Sequence, residues 1–183
     1  MKKQIIAKLL VLAMVLAMVP VTVLAASAAG SNLGYSANYG YYSIGKDTYV
    51  VNKPLTGNSN KLTLTIENGI GYAIVNDSVI ASFADLAKDG QMIVKLDGKV
   101  DRIYFTSSAK ALSTLAADTE ADLVFETNFA TITFPNDLLA GLGNVGTSRI
   151  FMGKADNGAS VTMEAAGETV DSSSVKSVAV EAE

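Results

Sequence analysis

The sequence contains no cysteine, no histidine and no tryptophan. Without cysteine, the chain can form no disulfide bond and has no thiol for a lipid anchor. Without cysteine and histidine, it also lacks the usual ligands for zinc, copper and haem, so we expect neither a metal ion nor a cofactor. The lack of tryptophan leaves tyrosine as the side chain that would stack on a sugar ring.

Basic residues are scarce beyond the start of the chain. Of the 14 Lys and Arg residues, Lys2, Lys3 and Lys8 precede the first apolar run, which leaves 11 basic against 18 acidic residues and a net charge of −7. Nucleic acids bind basic surfaces because their phosphates are negatively charged. The composition therefore predicts that nucleic acid is not a partner.

The first residues have the three parts of a secretory signal peptide. A basic start is followed by the apolar run Leu9–Val19, then by Pro20 and the small-residue segment Ala25–Ala29. The apolar run is shorter than the about 20 residues of a membrane-spanning helix. We predict a signal peptide over residues 1–25, with cleavage after Ala25 or Ala28, and a secreted or cell-surface location without membrane contact after cleavage. The alternative is an uncleaved anchor.

Residues 26–60 are rich in tyrosine, glycine and serine and predict a loosely ordered lead-in arm. Tyr49 to Val51 is a candidate edge strand. The tyrosines of this arm are the candidate ligand-binding residues: Tyr35, Tyr39, Tyr41 and Tyr42. The alternative for them is a flexible arm, or an edge that packs on a sheet.

From residue 61 to residue 167, turn pairs recur about every 30 residues between short alternating apolar runs: Asn68-Gly69, Asp97-Gly98, Asn128-Phe129 and Asn157-Gly158. Asn-Gly pairs favour tight hairpin turns because both positions tolerate positive φ. Pairing across the four turns gives each hairpin one apolar face. The predicted faces are Leu62, Leu64, Ile66, Ala73 and Val75; Met92, Val94, Leu96, Ile103 and Phe105; Leu123, Phe125, Ile132 and Phe134; and Ile150, Met152, Val161 and Met163.

Segments with helical spacing separate the hairpins. They predict helices over Val79–Lys88, Ala109–Ala117 and Leu138–Leu142, with Asp77 or Ser78 capping the first and Ser107 or Ser108 capping the second. Helices this short need a sheet to pack against. The predicted fold class is α+β, with repeated β-hairpin–helix (ββα) units forming an antiparallel sheet with the short helices on one face. Residues 168–183 are either a C-terminal tail or a truncated further unit.

Three motifs resemble functional sites but have simpler explanations. Gly141-Leu-Gly143-Asn-Val-Gly146 matches a dinucleotide-binding pattern, yet it follows a predicted helix, so we interpret it as a helix C-cap and loop. Ser107-Ser-Ala-Lys110 matches the start of an acyl-enzyme motif, but helix capping explains these serines better. The acidic group Asp118, Glu120 and Asp122 is either a calcium site or a solvated loop, and it lacks EF-hand spacing.

One segment and the leader are similar in sequence to known proteins. Asp122–Lys154, DLVFETNFATITFPNDLLAGLGNVGTSRIFMGK, resembles modules of large secreted surface proteins of Firmicutes-type bacteria, especially those with S-layer homology repeats. The leader MKKQIIAKLLVLAMVLAMVPVTVLAA is similar to the leaders of such proteins. The resemblance implies an S-layer-like component, and it implies no catalytic residues.

These observations predict an exported, non-enzymatic structural or interaction module with no catalytic residues. The expected partners are other surface proteins or copies of itself, and exposed outer strands would pair with neighbouring copies. One alternative is a carbohydrate- or cell-wall-binding module, with cell-wall polysaccharide bound by the tyrosines of the arm. Another is a small hydrolase that uses two carboxylates, although nothing in the sequence pairs them.

Overall fold

The computed structural model of the protein describes residues 41–44, 47–50, 52–57, 59–144 and 146–180, with the backbone alone described between 41 and 50. The predicted signal peptide and most of the lead-in arm lie outside the described residues. The strands are β1 (Tyr41–Ile44), β2 (Asp47–Val50), β3 (Lys61–Thr63), β4 (Thr65–Glu67), β5 (Ile70–Ile74), β6 (Ala87–Lys88), β7 (Gln91–Asp97), β8 (Arg102–Ser108), β9 (Asp122–Glu126), β10 (Ala130–Phe134), β11 (Thr147–Ala155), β12 (Gly158–Ala165), β13 (Glu168–Val170) and β14 (Lys176–Ala179). The helices are α1 (Asp77–Ser82), a 3-10 helix (Phe83–Leu86), α2 (Ala109–Thr119) and α3 (Asn136–Ala140). No helix in the described ranges is long and apolar enough to cross a membrane.

The described chain is a mixed α+β structure, mostly strand with short helices, which confirms the predicted class. Strands β1 and β2 pair with each other as a two-stranded sheet. Most of this pair, residues 42–44 and 47–49, belongs to a different compact unit from the described residues between 50 and 180.

The larger unit contains two six-stranded sheets. In sheet 1 the strand order is β14-β10-β9-β7-β3, and β6 also pairs with β7. In sheet 2 the order is β13-β12-β11-β8-β5-β4. The pairs β3–β7, β7–β9 and β5–β8 are parallel. The prediction of a single antiparallel sheet was therefore wrong.

The core lies between the two sheets. Phe105 of sheet 2 and Phe125 of sheet 1 are both fully buried, and their ring centroids are 4.7 Å apart. The ring of Phe134 packs edge-on against Phe125, with centroids 5.5 Å apart. Alternate side chains of a strand point to opposite faces, so each sheet turns one apolar face inward. Burial of these faces supplies the main stabilisation.

The predicted second hairpin, between β7 and β8, does not form, because β7 lies in sheet 1 and β8 in sheet 2. The loop between them packs against Leu64, since a Cβ on Gly98 would lie 3.0 Å from Leu64 Cδ1. Apolar alternation predicts which side chains point inward, but it does not distinguish neighbours in one sheet from strands that face each other across a core. The structure therefore does not show the predicted series of repeated ββα units.

The other three hairpins do form. The turn at Asn68-Gly69 joins β4 to β5, and both of its residues have positive φ (50° and 77°), as a tight hairpin requires. Antiparallel registers join β9 to β10 and β11 to β12 as predicted. The prediction for Ile66 was wrong, because its side chain is 52% exposed. The chain passes from sheet 1 to sheet 2 at Leu64, so the run from Leu62 onward does not stay on one buried face.

The helices connect the two sheets rather than covering one face of a single sheet. The first predicted helix is in fact two shorter ones, α1 and the 3-10 helix, and Asn76 caps α1 by accepting a hydrogen bond from the N–H of Val79 at 3.0 Å. Ser108 caps α2 by accepting from the N–H of Ala111 at 3.2 Å. The predictions of Asp77 or Ser78 as the first cap were wrong, and Ser108 is the correct choice for the second.

The last described residues also form strands. Strand β13 pairs with β12, and β14 pairs with β10 at the end of sheet 1. The chain from residue 168 to residue 179 therefore contributes a strand to each sheet.

Candidate contact surface

The tyrosines predicted to bind ligand are not described as a site. Tyr35 and Tyr39 lie outside the described residues, and Tyr41 and Tyr42 lie in β1, where the backbone alone is described. The role of these four side chains stays a prediction. The candidate site is built from other aromatic residues.

Three aromatic side chains form one row across the middle strands of sheet 2. Tyr72 on β5 lies beside Tyr104 on β8, which in turn lies beside Phe151 on β11. The rings of Tyr72 and Tyr104 are stacked, with centroids 5.7 Å apart and planes within 10° of parallel. The rings of Tyr104 and Phe151 are tilted by 50°, with centroids 4.9 Å apart. We call Tyr72, Tyr104 and Phe151 the aromatic row.

The aromatic row lies on the face of sheet 2 that points away from the core. Phe105 and Ile150 are fully buried between the sheets. Tyr104 and Phe151 are their neighbours in sequence, so strand alternation directs these two rings to the outer face. Each ring of the row belongs to a half-buried residue. Part of every ring is therefore covered by its neighbours, and part is accessible.

The position of Phe151 depends on Gly153, two residues along on the same face. A Cβ at Gly153 would lie 3.5 Å from ring atoms of Phe151 and 3.1 Å from Ser160 Oγ. The ring thus reaches over the glycine, which leaves little room for a side chain. This packing orders one end of the aromatic row.

Charged side chains border the aromatic row. Arg149 Nη1 lies 3.7 Å from Glu164 Oε2, next to Phe151 on the same face. On the other side of the row, Arg102 is exposed two residues before Tyr104. Aromatic and arginine side chains are enriched in protein interfaces. The outer face of sheet 2 therefore has the composition of a contact surface.

The phenol of Tyr72 is held in its neutral form. Burial raises the pKa of Tyr72 above the ordinary value of 10.0, and its electrostatic interactions with Glu67 and Tyr104 raise it further. A neutral phenol both donates and accepts a hydrogen bond. Tyr72 keeps this capacity throughout the physiological pH range.

A concavity of about 240 Å³ lies chiefly between α1 and α2. Its walls are Asp77, Ala81, Ala84, Lys110, Ala111, Thr114, Leu115 and Asp118. Within the described ranges, no group of three or more acidic, His or Cys side chains is placed to hold a metal ion. The alanines leave this space because their side chains are too small to fill the gap between the helices.

The motifs singled out in the sequence lie at helix ends. Gly141 is the C-cap of α3 and precedes β11, which confirms the interpretation as a cap and loop. Glu120 ends α2 in the left-handed conformation, with φ of 52°. Asp122 Oδ1 accepts a hydrogen bond from the N–H of Asn136 at 2.9 Å, at the start of α3. Glu120 thus lies at the end of α2, and the Asp122 side chain binds the start of α3.

Sequence reasoning missed the aromatic row because it searched for an apolar face on each strand and stopped when one was found. The available signal is a pair of successive large or apolar residues in each of three strands, namely Tyr72-Ala73, Tyr104-Phe105 and Phe151-Met152. One member of each pair faces the core, so the other must face outward.

Comparisons of the chain with protein-family models, with curated proteins and with solved structures gave no match.

Proposed function

We propose that this chain is an exported, non-enzymatic interaction module of the bacterial cell surface, of the S-layer-like kind that its sequence resembles. The observation that carries the proposal is the aromatic row on the outer face of sheet 2. The basic, apolar and small-residue parts of the leader support export. The acidic balance and the lack of histidine and cysteine support binding rather than metal-dependent chemistry.

A rigid sheet favours this use of the row. The three rings stand on adjacent strands, β5, β8 and β11, whose inner faces pack in the core. The rings also pack against one another, so little side-chain freedom remains to be lost on binding. Pre-ordering of this kind increases affinity because it lowers the entropic cost of association.

The test is fractionation of a single-membrane bacterium that produces the full chain. We expect the wild-type protein, without its leader, in the wall-associated fraction. Tyr104→Ala removes the central ring and should release most of the protein into the medium. Thr133→Ala, on the outer face of sheet 1, is the matched control and should stay with the wall. Cytosolic wild-type protein, or unchanged retention of Tyr104→Ala, would contradict the proposal.

The aromatic row also favours a second candidate function, binding of a cell-wall carbohydrate. Tyrosine rings stack on sugar rings, and bordering arginines can donate hydrogen bonds to hydroxyl groups. The mutual stacking of Tyr72 and Tyr104 covers part of both rings and so favours a protein partner over a sugar. Purified walls distinguish the two: retention on walls stripped of protein indicates carbohydrate, and retention only on walls that still carry protein indicates a protein partner.

A further inference from the structure

The exposed large apolar side chains of the described residues are concentrated at sheet ends. They are Ile66, Val178 and Val180, with 52%, 67% and 48% of each residue exposed. Ile66 lies in β4, the end strand of sheet 2. Val178 lies in β14, the end strand of sheet 1, and Val180 directly follows that strand.

At β4, the same residue presents both an apolar side chain and free backbone groups. Glu67 pairs with Ile70 across a two-residue turn, so the backbone groups of Glu67 point toward β5. Successive residues of a strand direct their N–H and C=O groups to opposite sides. The N–H and C=O of Ile66 therefore point away from β5, toward the open side of the sheet.

At β14, the arrangement is similar. The N–H of Val180 donates to the carbonyl oxygen of Phe129 at 3.1 Å, so Val180 directs its backbone groups toward β10. The N–H and C=O of Ala179 then point away from β10, and Ala179 lies between the exposed Val178 and Val180.

Other parts of the sheet ends are covered by side chains. The carboxamide of Asn52 accepts from the N–H of Thr63 at 3.0 Å and donates to its carbonyl oxygen at 3.2 Å, which occupies the open side of β3. Ser177 Oγ bonds in the same way to the N–H and carbonyl oxygen of Ala159, both at 3.1 Å. Natural sheets commonly protect their end strands. Ile66 and Ala179 lie in segments without such cover among the described residues.

The two open segments lie on opposite sides of the larger unit. Strand β4 directly follows β3 on one side, whereas β14 lies near β12 on the other, where Ser177 meets Ala159. A chain cannot pair its own β14 with its own β4, but two copies can. The charges are complementary, since Lys176 begins β14 and Glu67 ends β4.

We propose that β14 of one copy adds to β4 of the next copy, so that sheet 1 of one molecule continues into sheet 2 of its neighbour. This deepens the proposed surface function and rests on it. Because the two contacting segments differ and lie on opposite sides of the larger unit, the association is head-to-tail and continues beyond two molecules. The product is a row of more than two copies, the kind of assembly from which a surface layer can grow.

Sedimentation velocity of the full secreted chain over a concentration series tests the pairing. We expect species larger than a dimer for the wild type, in increasing amount as the concentration rises. Ile66→Lys removes one contacting segment and Val178→Lys the other, so each variant alone should be monomeric. An equimolar mixture should form dimers and nothing larger, because each mixed pair has one intact junction.

Ala117→Lys is the matched control, since Ala117 is exposed on α2; it should assemble like the wild type. Circular dichroism establishes that all variants are folded. A wild-type chain that remains monomeric overturns the proposal, as does a dimer of either variant alone, which would indicate like-with-like pairing. None of these outcomes contradicts the proposed surface function, which the fractionation experiment tests separately.

Discussion

Ser107 and Ser108 are adjacent in sequence, and the structure predicts that only the replacement of Ser108 by alanine lowers stability. Ser108 Oγ accepts a hydrogen bond from the N–H of Ala111 and so caps α2. Ser107 is fully buried, and its Oγ makes no hydrogen bond to any residue that the structure describes. Both substitutions delete a single oxygen atom, so the comparison isolates the hydrogen bond.

The magnitudes follow from these contacts. Loss of a helix cap typically lowers the free energy of unfolding by about 1 kcal/mol. A buried hydroxyl without a partner costs about 1–3 kcal/mol in lost hydration, so Ser107→Ala should relieve part of that cost. After allowance for the small cavity, we expect Ser107→Ala to leave stability unchanged or to raise it by about 1 kcal/mol. Ser148, directly opposite Ser107 and likewise unpartnered among the described residues, should behave as Ser107 does.

Urea unfolding followed by circular dichroism measures these differences, provided that the slope with denaturant is the same for all variants. Ser108→Asp is the control, because aspartate also caps helices and should retain most of the stability. If Ser107→Ala lowered the free energy of unfolding as much as Ser108→Ala does, the interpretation of Ser107 as a buried hydroxyl without a partner would be wrong. Such a loss would show that the hydroxyl of Ser107 is hydrogen-bonded and that its burial carries no penalty.

Four further substitutions test the core, the aromatic row and a close backbone approach. Phe125→Ala should lower the free energy of unfolding by about 3–5 kcal/mol and Phe151→Ala by much less, since of the two only Phe125 is fully buried. Equal losses of stability in urea unfolding would contradict the assignment of inner and outer faces. The folded-state pKa of Tyr72 is raised above 10.0, so the stability that its neutral form contributes is complete below pH 10.0 and is lost as the pH rises through the folded-state pKa. Tyr72→Phe should therefore flatten the alkaline fall in stability, and an unchanged pH profile would exclude this contribution. Gly158→Ala should lower the free energy of unfolding by about 1–3 kcal/mol, because φ is +142° and the new Cβ would lie 2.7 Å from Ser177 Oγ. A variant whose thermal midpoint equals that of the wild type would contradict this.

Local pairing could be predicted from the sequence. The hairpins β9–β10 and β11–β12 join runs that are close in sequence, and a shift of one residue would expose every apolar side chain of a strand. The registers of Ile132 with Phe125 and of Ile150 with Met163 therefore followed from the turn positions together with alternation.

The relation between distant strands could not be predicted in this way. Met92 and Phe105 both point inward, as alternation predicts, but they do so from different sheets. The passage at Leu64 from one sheet to the other also has no local signal, and it accounts for the exposure of Ile66. The start of α2 was ambiguous for a related reason. Ser107 and Ser108 can both cap a helix, and only the path of the backbone determines that Ser108 does so.

The candidate site follows from the same alternation that forms the core. Burial of Phe105 and Ile150 fixes β8 and β11 with one face inward, and this fixes Tyr104 and Phe151 on the other face. An outward aromatic side chain is not needed for the core, because the inner faces already bury their own apolar residues. Where three such rings occur side by side in register, folding of the inner face alone does not explain them. The proposed contact surface would account for them, and so the row, rather than any single residue, is the feature on which a functional test should act.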